Sequence, residues 1–223
     1  MIKVVSLDIL DLIGFQSGIL FVLKENQNTD SVKVSFYSFD IETKSIATVT
    51  KNAYLLTKFG SAYTPIAKQL GDYVSCDAAK LWNGHTFVIY STGETGTFDE
   101  HGNLIKTADL TYRNAPARDV AVDNNYIWSV VPEHNLIIKY SLLQNRVIMR
   151  IGGDDSSTFN YPVSICEHNG YLYVCNKNSR KINRIDLRTF LVEDYKEFDE
   201  EIYNYIRVAD NEFVILGSGV YLL

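Results

Sequence analysis

The chain has 223 residues, 46% of them hydrophobic and 13% aromatic, with a formal net charge of −6 and a pI near 5.2. That apolar share is enough to bury the core of one domain of this length. The acidic balance argues against nucleic acid as a partner, since a phosphate backbone calls for a basic patch, and no run approaches the roughly 18 apolar residues of a membrane span.

Residues 2–7 read as a lone strand. They meet Asp8 and Asp11 too soon for a secretory h-region, and no small-residue cleavage site follows, so a cytoplasmic protein is expected. A first unit of strands covers 18–24, 32–39 and 45–50, with a polar turn at 40–44. A second unit runs from 73 to 110, with its outer hairpin turn at 99–103. The third unit has strands at 118–122, 126–131, 136–141 and 146–151. The fourth has them at 162–167, 171–176, 181–187 and 190–195. The fifth has 205–209, 212–216 and 219–223 and lacks an outer strand. Tyr, Phe, Val and Ile dominate these segments, and Asn, Asp and Gly the turns between them.

The second strand of each later unit recurs at a nearly fixed interval. Phe87 to Ile127 is 40 residues, Ile127 to Leu172 is 45, and Leu172 to Phe213 is 41. Several short strands per unit at this period predict a β-propeller. The expected fold is therefore all-β: one domain over 1–223, five blades of four antiparallel strands. The N-terminal strand completes the C-terminal blade, because an open ring would leave a bare edge. One interval breaks the period. Leu20 to Phe87 is 67 residues, and the surplus at 51–72 is too short for a blade. Such a long connection either packs on the rim or has a functional or capping role.

The unit from 152 to 195 resembles an NHL-type repeat. It carries Gly153, then Phe159-Asn160-Tyr161-Pro162 leading into the inner strand. Asn169-Gly170-Tyr171-Leu172-Tyr173-Val174, the polar turn at 176–179 and the strand Lys181-Ile182-Asn183-Arg184-Ile185-Asp186 follow. Residues 112–151 form a weaker copy. Asn176 stands where the repeat usually has Asp. Propellers of this type host protein binding, RNA binding, lyases and lactonases, so the resemblance implies the fold and leaves the activity open.

Strand alternation sorts the loops. First-to-second and third-to-fourth turns share one end of the ring; second-to-third turns and inter-blade connections share the other, where the inner strands begin. His85, His101 and His168 fall at the first end and only His134 at the second, so a histidine zinc site is not expected. No nucleophile motif, phosphate loop or CxxC pair is present, and no cofactor is expected. Cys166 and Cys175 flank one hairpin. With Glu167 opposite Gly170, Cys166 faces Tyr171 and Cys175 faces Pro162, too far apart for a disulfide.

Candidate binding residues gather at the second end: Arg118, Asp119, Tyr161, Tyr205 and Arg207 on inner strands, with Glu133 and His134 in a neighbouring loop. Arg and Tyr side chains there suit an anionic or sugar-like ligand. Asp77, Asp119 and Glu133 alternatively suit Ca²⁺. Asp154 and Asp155 follow in an inter-blade connection. The acidic run over 193–201 is expected in the last full connection, either as a solvated loop or as a docking site for a basic segment. These features favour a non-catalytic binding module for a protein or small ligand. The alternative is a propeller enzyme, a lyase or a metal-dependent hydrolase or lactonase, with carboxylates at the channel mouth.

Overall fold

A computed structural model describes residues 1–6, 8–25, 33–69 and 76–223. In chain order, β1 (Ile2–Val5) precedes the first blade of β2 (Ile9–Phe15), β3 (Gly18–Glu25), β4 (Lys33–Asp40) and β5 (Ile46–Thr48). Two helices follow, α1 (Lys51–Phe59) and α2 (Tyr63–Gln69), joined by a 3₁₀ turn at Gly60–Ala62. The second blade is β6 (Cys76–Lys80), β7 (Thr86–Tyr90), β8 (Glu94–Phe98) and β9 (Leu104–Asp109), and a small hairpin, β10 (Thr111–Tyr112) and β11 (Ala115–Pro116), leads out of it. The third is β12 (Arg118–Asp123), β13 (Tyr126–Val131), β14 (Leu136–Ser141) and β15 (Arg146–Gly152). The fourth is β16 (Pro162–His168), β17 (Tyr171–Asn176), β18 (Lys181–Asp186) and β19 (Val192–Glu197). The fifth is β20 (Ile202–Val208), β21 (Asn211–Leu216) and β22 (Gly219–Leu222).

The ring closes as the missing strand predicts. The last sheet has the order β1-β22-β21-β20, so the N-terminal strand is its outer edge, with Ile2 opposite Leu222 and Lys3 opposite Tyr221. Each of the five four-stranded sheets is antiparallel throughout. The core lies between blades. Trp128, Val130 and Ile137 of the third blade meet Ile165, Leu172 and Val174 of the fourth, for example.

Several expected boundaries move for local reasons. The fourth blade's outer strand begins two residues late, because the Asp186 carboxylate accepts the amides of Arg188 (2.7 Å) and Thr189 (3.1 Å) and holds a turn that extends to Phe190. The β16–β17 hairpin turns on Asn169-Gly170, both at positive φ, so Glu167 faces Leu172 rather than Gly170. This corrects the cysteine register. Cys166 lies opposite Tyr173 and Cys175 opposite Ser164, and both thiols are free, as is that of Cys76. Much of the acidic run is not a connection: Glu193, Asp194 and Glu197 belong to β19.

The described part of the surplus before the second blade, residues 51–69, is not rim decoration; residues 70–72 lie outside the described residues. Thr50 caps α1 by accepting the Ala53 amide (3.1 Å), and Gly60 ends it at φ 54°, its amide donating to Leu56. Tyr54, Leu55, Phe59, Ala62 and Ile66 are all buried, packed with Leu20, Val22 and Phe36 of the first blade and Cys76 and Val88 of the second. The helices thus form a wedge in the ring, filling the interface between two blades. Tyr54, Leu55, Lys58 and Phe59 share one helical face, and that geometry carries the Lys58 side chain inward with the apolar ones.

Candidate functional site at the channel mouth

The inner strands β2, β6, β12, β16 and β20 surround a central channel. Four of them carry a register irregularity near their start, at Ile9/Asp11, Arg118/Val120, Pro162/Ser164 and Ile202/Asn204; β6 does not. A bulge increases local twist and re-aims side chains, and here it sits where the strands reach the mouth. Asp119 occupies one such irregularity in a left-handed conformation, φ 47°. That backbone is costly for a residue with a Cβ. Hydrogen bonds hold it: Asp119 Oδ1 accepts its neighbour's amide, Val120 N (2.8 Å), and Oδ2 accepts Ile165 N of the next blade (2.7 Å). The Ser129 hydroxyl, fully buried, reaches the carbonyls of Arg118 (2.9 Å) and Asp119 (2.7 Å) from behind.

Facing this, Asp11 of β2 and Asp77 of β6 grip one cation. The Lys58 ammonium donates to both carboxylates, to Asp77 at 3.1 Å, and the Tyr54 hydroxyl also donates to Asp11. The Lys58 side chain is 4% exposed. Burial alone would push its ammonium down. The two carboxylates more than offset that and hold it well above the ordinary lysine range. Among the described residues no cation pairs with Asp119. Burial, reinforced by the Asp77 charge, raises its carboxyl to about 7. Ser164 and Asn204 complete the ring, the serine hydroxyl donating to the amide oxygen at 3.0 Å.

These groups border a cavity of about 220 Å³ at the end of the ring where the inner strands begin. A second compartment of about 370 Å³ lies on the far side of the same girdle of Asp11, Lys58, Asp77, Asp119 and Asn204. The Cys76 thiol at the mouth is pushed up to about 12 by burial, so it is no thiolate nucleophile at neutral pH.

The residues expected from sequence are distributed unevenly. Arg118 and Asp119 line the mouth. Glu133 lies beside them but is spent on Arg118, in an exposed pair at 3.1 Å. His134 stands one step outward: its Nδ1 is 2.9 Å from Asp154, which also pairs with Arg113 at 3.1 Å, and its ring meets the edge of Tyr112. Tyr161 sits at φ 57°, its amide donating to the Asn135 side chain. Tyr205 and Arg207 belong elsewhere. Tyr205 is buried between the fourth and fifth blades and donates to Glu212 (2.9 Å), while Arg207 donates to the Tyr173 hydroxyl (2.9 Å). Burial would raise the Glu212 carboxyl, but Lys196, Tyr195 and Tyr205 hold it below its usual range. The register irregularity at Ile202/Asn204 leaves both Tyr203 and Asn204 at the mouth; beyond it the strand alternates, and Tyr205 and Arg207 point into the fourth–fifth interface.

The alternative Ca²⁺ set does not assemble. Glu133 turns to Arg118 and Asp77 to Lys58, and among the described residues no three His, Cys, Asp or Glu side chains group as a metal cage. The acidic run is also engaged. Asp194 and Glu197 pair with Lys181, Glu193 with Arg184, and Glu201 with Lys177. Lys177, Lys181 and Arg184 of the basic segment 177–184 are thereby paired.

No family model matches the chain, and no curated protein does. Solved structures share its fold. A computationally designed protein, Ika4, is 12% identical with a TM-score of 0.50, over 66% of this chain and 88% of that one. A streptogramin B lyase structure is 13% identical with a TM-score of 0.53, over 98% of this chain and 65% of that one. The WD40 repeats of RRP9 are 10% identical with a TM-score of 0.53, over 69% of this chain and 52% of that one. At these identities the likeness establishes the propeller fold alone. The chain spans just under two thirds of the lyase chain and about half of the WD40 chain. No helix among the described residues is long and apolar enough to cross a membrane.

Proposed function

We propose that this protein is a non-catalytic binding module that acts as one propeller unit and seats its ligand at the channel mouth. One observation carries the reading: polar side chains from all five inner strands and from α1 converge on one cavity of about 220 Å³. Concave sites with a few convergent polar groups are the default ligand sites of folded proteins. Arg118 and Asp119 are the contact residues retained from the sequence reading, with Glu133, His134 and Tyr161 as the surrounding loop surface that a larger partner would touch. Three free cysteines support a cytoplasmic setting. The unit at 152–195 supports an NHL-type lineage.

The test is a ligand-observed NMR screen of small polar compounds against the wild type and Arg118→Ala. Arg118 is half-exposed, its side chain 47% accessible, so its removal leaves the fold intact. Hits that weaken at least about fivefold, roughly 1 kcal/mol, in the variant support the site. Hits indifferent to Arg118→Ala and to Asp77→Asn would overturn it.

A second reading, an enzyme, draws on Asp119. A carboxyl raised to about 7 in a cleft is suited to general acid–base work. Turnover of a glycoside or lactone that Asp119→Asn abolishes, while binding persists, would favour it.

A further inference from the structure

We propose that the occupant of the channel mouth is a neutral, polyhydroxylated ring of monosaccharide size; the inference rests on the binding-site reading above. Size comes first. Drug-sized ligands occupy roughly 300–1,000 Å³, and about 220 Å³ admits a single ring.

Charge selects among single rings. Every formal charge around the cavity already has a local partner. Lys58 sits between Asp11 and Asp77, and Arg118 is paired with Glu133. Asp119 is held by two backbone amides. A ligand ammonium would compete with Lys58 for the same oxygens. A ligand carboxylate would meet Asp77 and Asp119 at close range. Hydroxyl groups avoid both penalties: each donates to a carboxylate oxygen or accepts from an amide or guanidinium without changing the net charge.

The donor and acceptor set matches such a ligand. Asp77, whose side chain is 40% exposed, and Asp119 supply acceptors. Arg118 supplies donors, and Ser164 and Asn204 supply both. Planar groups that engage two neighbouring hydroxyls at once give directional recognition of a ring. Tyr203 adds an aromatic wall, anchored by its hydroxyl donating to Glu201 at 2.6 Å. An aromatic face against the C–H face of the ring supplies the apolar part of the contact.

The experiment uses the full chain and three sets of probes: methyl pyranosides of glucose, galactose, mannose and xylose; putrescine as a cation; citrate as an anion. Binding is read by saturation-transfer NMR up to about 50 mM, since weak sites of this size bind in the millimolar range. At least one pyranoside is expected to bind, and Tyr203→Ala and Ser164→Ala are each expected to weaken it about five- to tenfold, roughly 1–1.4 kcal/mol. Circular dichroism checks that both variants are folded, and Tyr203→Phe provides a milder change at the same wall. If putrescine or citrate binds instead and loses affinity in these variants, the neutral-ring inference falls while the site stands. If no probe binds, or binding survives both substitutions, inference and site fall together.

Discussion

Two blade interfaces solve one problem in different ways. Between the third and fourth blades the inner strands pack side by side, and Asp119 crosses the gap to take the Ile165 amide. Between the first and second blades α1 fills the interface, and Asp11 does the equivalent job on side chains. One of its oxygens takes the next amide, Leu12 N (2.8 Å), and the other takes Lys58 and Tyr54. In both places a carboxylate at the channel mouth ties its own strand to what stands beside it. The backbone version brings no countercharge, and Asp119 holds its proton to about 7. The side-chain version imports a cation and leaves Lys58 firmly charged. A wedge can therefore replace direct blade packing only if it supplies both apolar volume and charge.

That statement can be broken in two steps. Phe59, like Tyr54, is a fully buried aromatic of the wedge. Phe59→Ala should cost about 3–5 kcal/mol in urea unfolding, the loss expected for a large ring removed from a core that cannot collapse. A cost below about 1 kcal/mol would show the wedge to be loosely held. Lys58→Met keeps the volume and removes the charge, leaving Asp11 and Asp77 facing each other. Breaking a buried pair costs about 3–5 kcal/mol, and the lower end is expected because Asp77 remains partly open to water. Adding Asp77→Asn to Lys58→Met should recover part of that loss. A double variant no better than the single one would mean that Lys58 contributes by packing.

The architecture was legible because it is written in periodicity. The second strands recur every 40 to 45 residues, and a strand missing at one end matches a strand spare at the other. The site was half legible. Asp119 and Arg118 could be placed because all four strands of the third blade are legible in the sequence. Asp11 was not, because β2 itself went unrecognised: residues 9–15 lie one turn before the strong pattern at 18–24, and Asp11, with Asp8 just ahead of the strand, reads as a break in an apolar run. Lys58 was hidden for a different reason. It lies in the interval that departs from the repeat, and only helical spacing places it on the same face as Tyr54 and Leu55. Tyr205 and Arg207 were drawn to the channel by their strand, yet alternation turns their side chains into the fourth–fifth interface. Side-chain direction, not strand identity, decided that point.

The smaller effects sharpen the comparison. Tyr54→Phe removes one donor to Asp11 but leaves Lys58 in place, so about 1 kcal/mol is expected, well short of the Lys58 effect. Equal losses would mean that the hydroxyl, and not the ammonium, satisfies Asp11.

Asp119→Asn tests the other interface through pH. The folded carboxyl keeps its proton up to about 7, whereas the unfolded chain releases it near 4. Between those values the folded state binds more protons. The stabilisation from this group is therefore complete below about pH 4 and is lost as pH rises through about 7. Asparagine does not titrate. It also presents an amide group where a carboxylate oxygen accepted a backbone N–H, so the variant melts lower throughout. The gap in Tm between wild type and Asp119→Asn should shrink as pH rises from about 5 to about 8, because only the wild type pays for the buried charge as it forms. A gap that is constant or grows over that range would place the ionised carboxylate in the folded state throughout. The backbone amides of Val120 and Ile165 would then stabilise it as well as Lys58 stabilises Asp11, and the distinction between the two interfaces would reduce to volume.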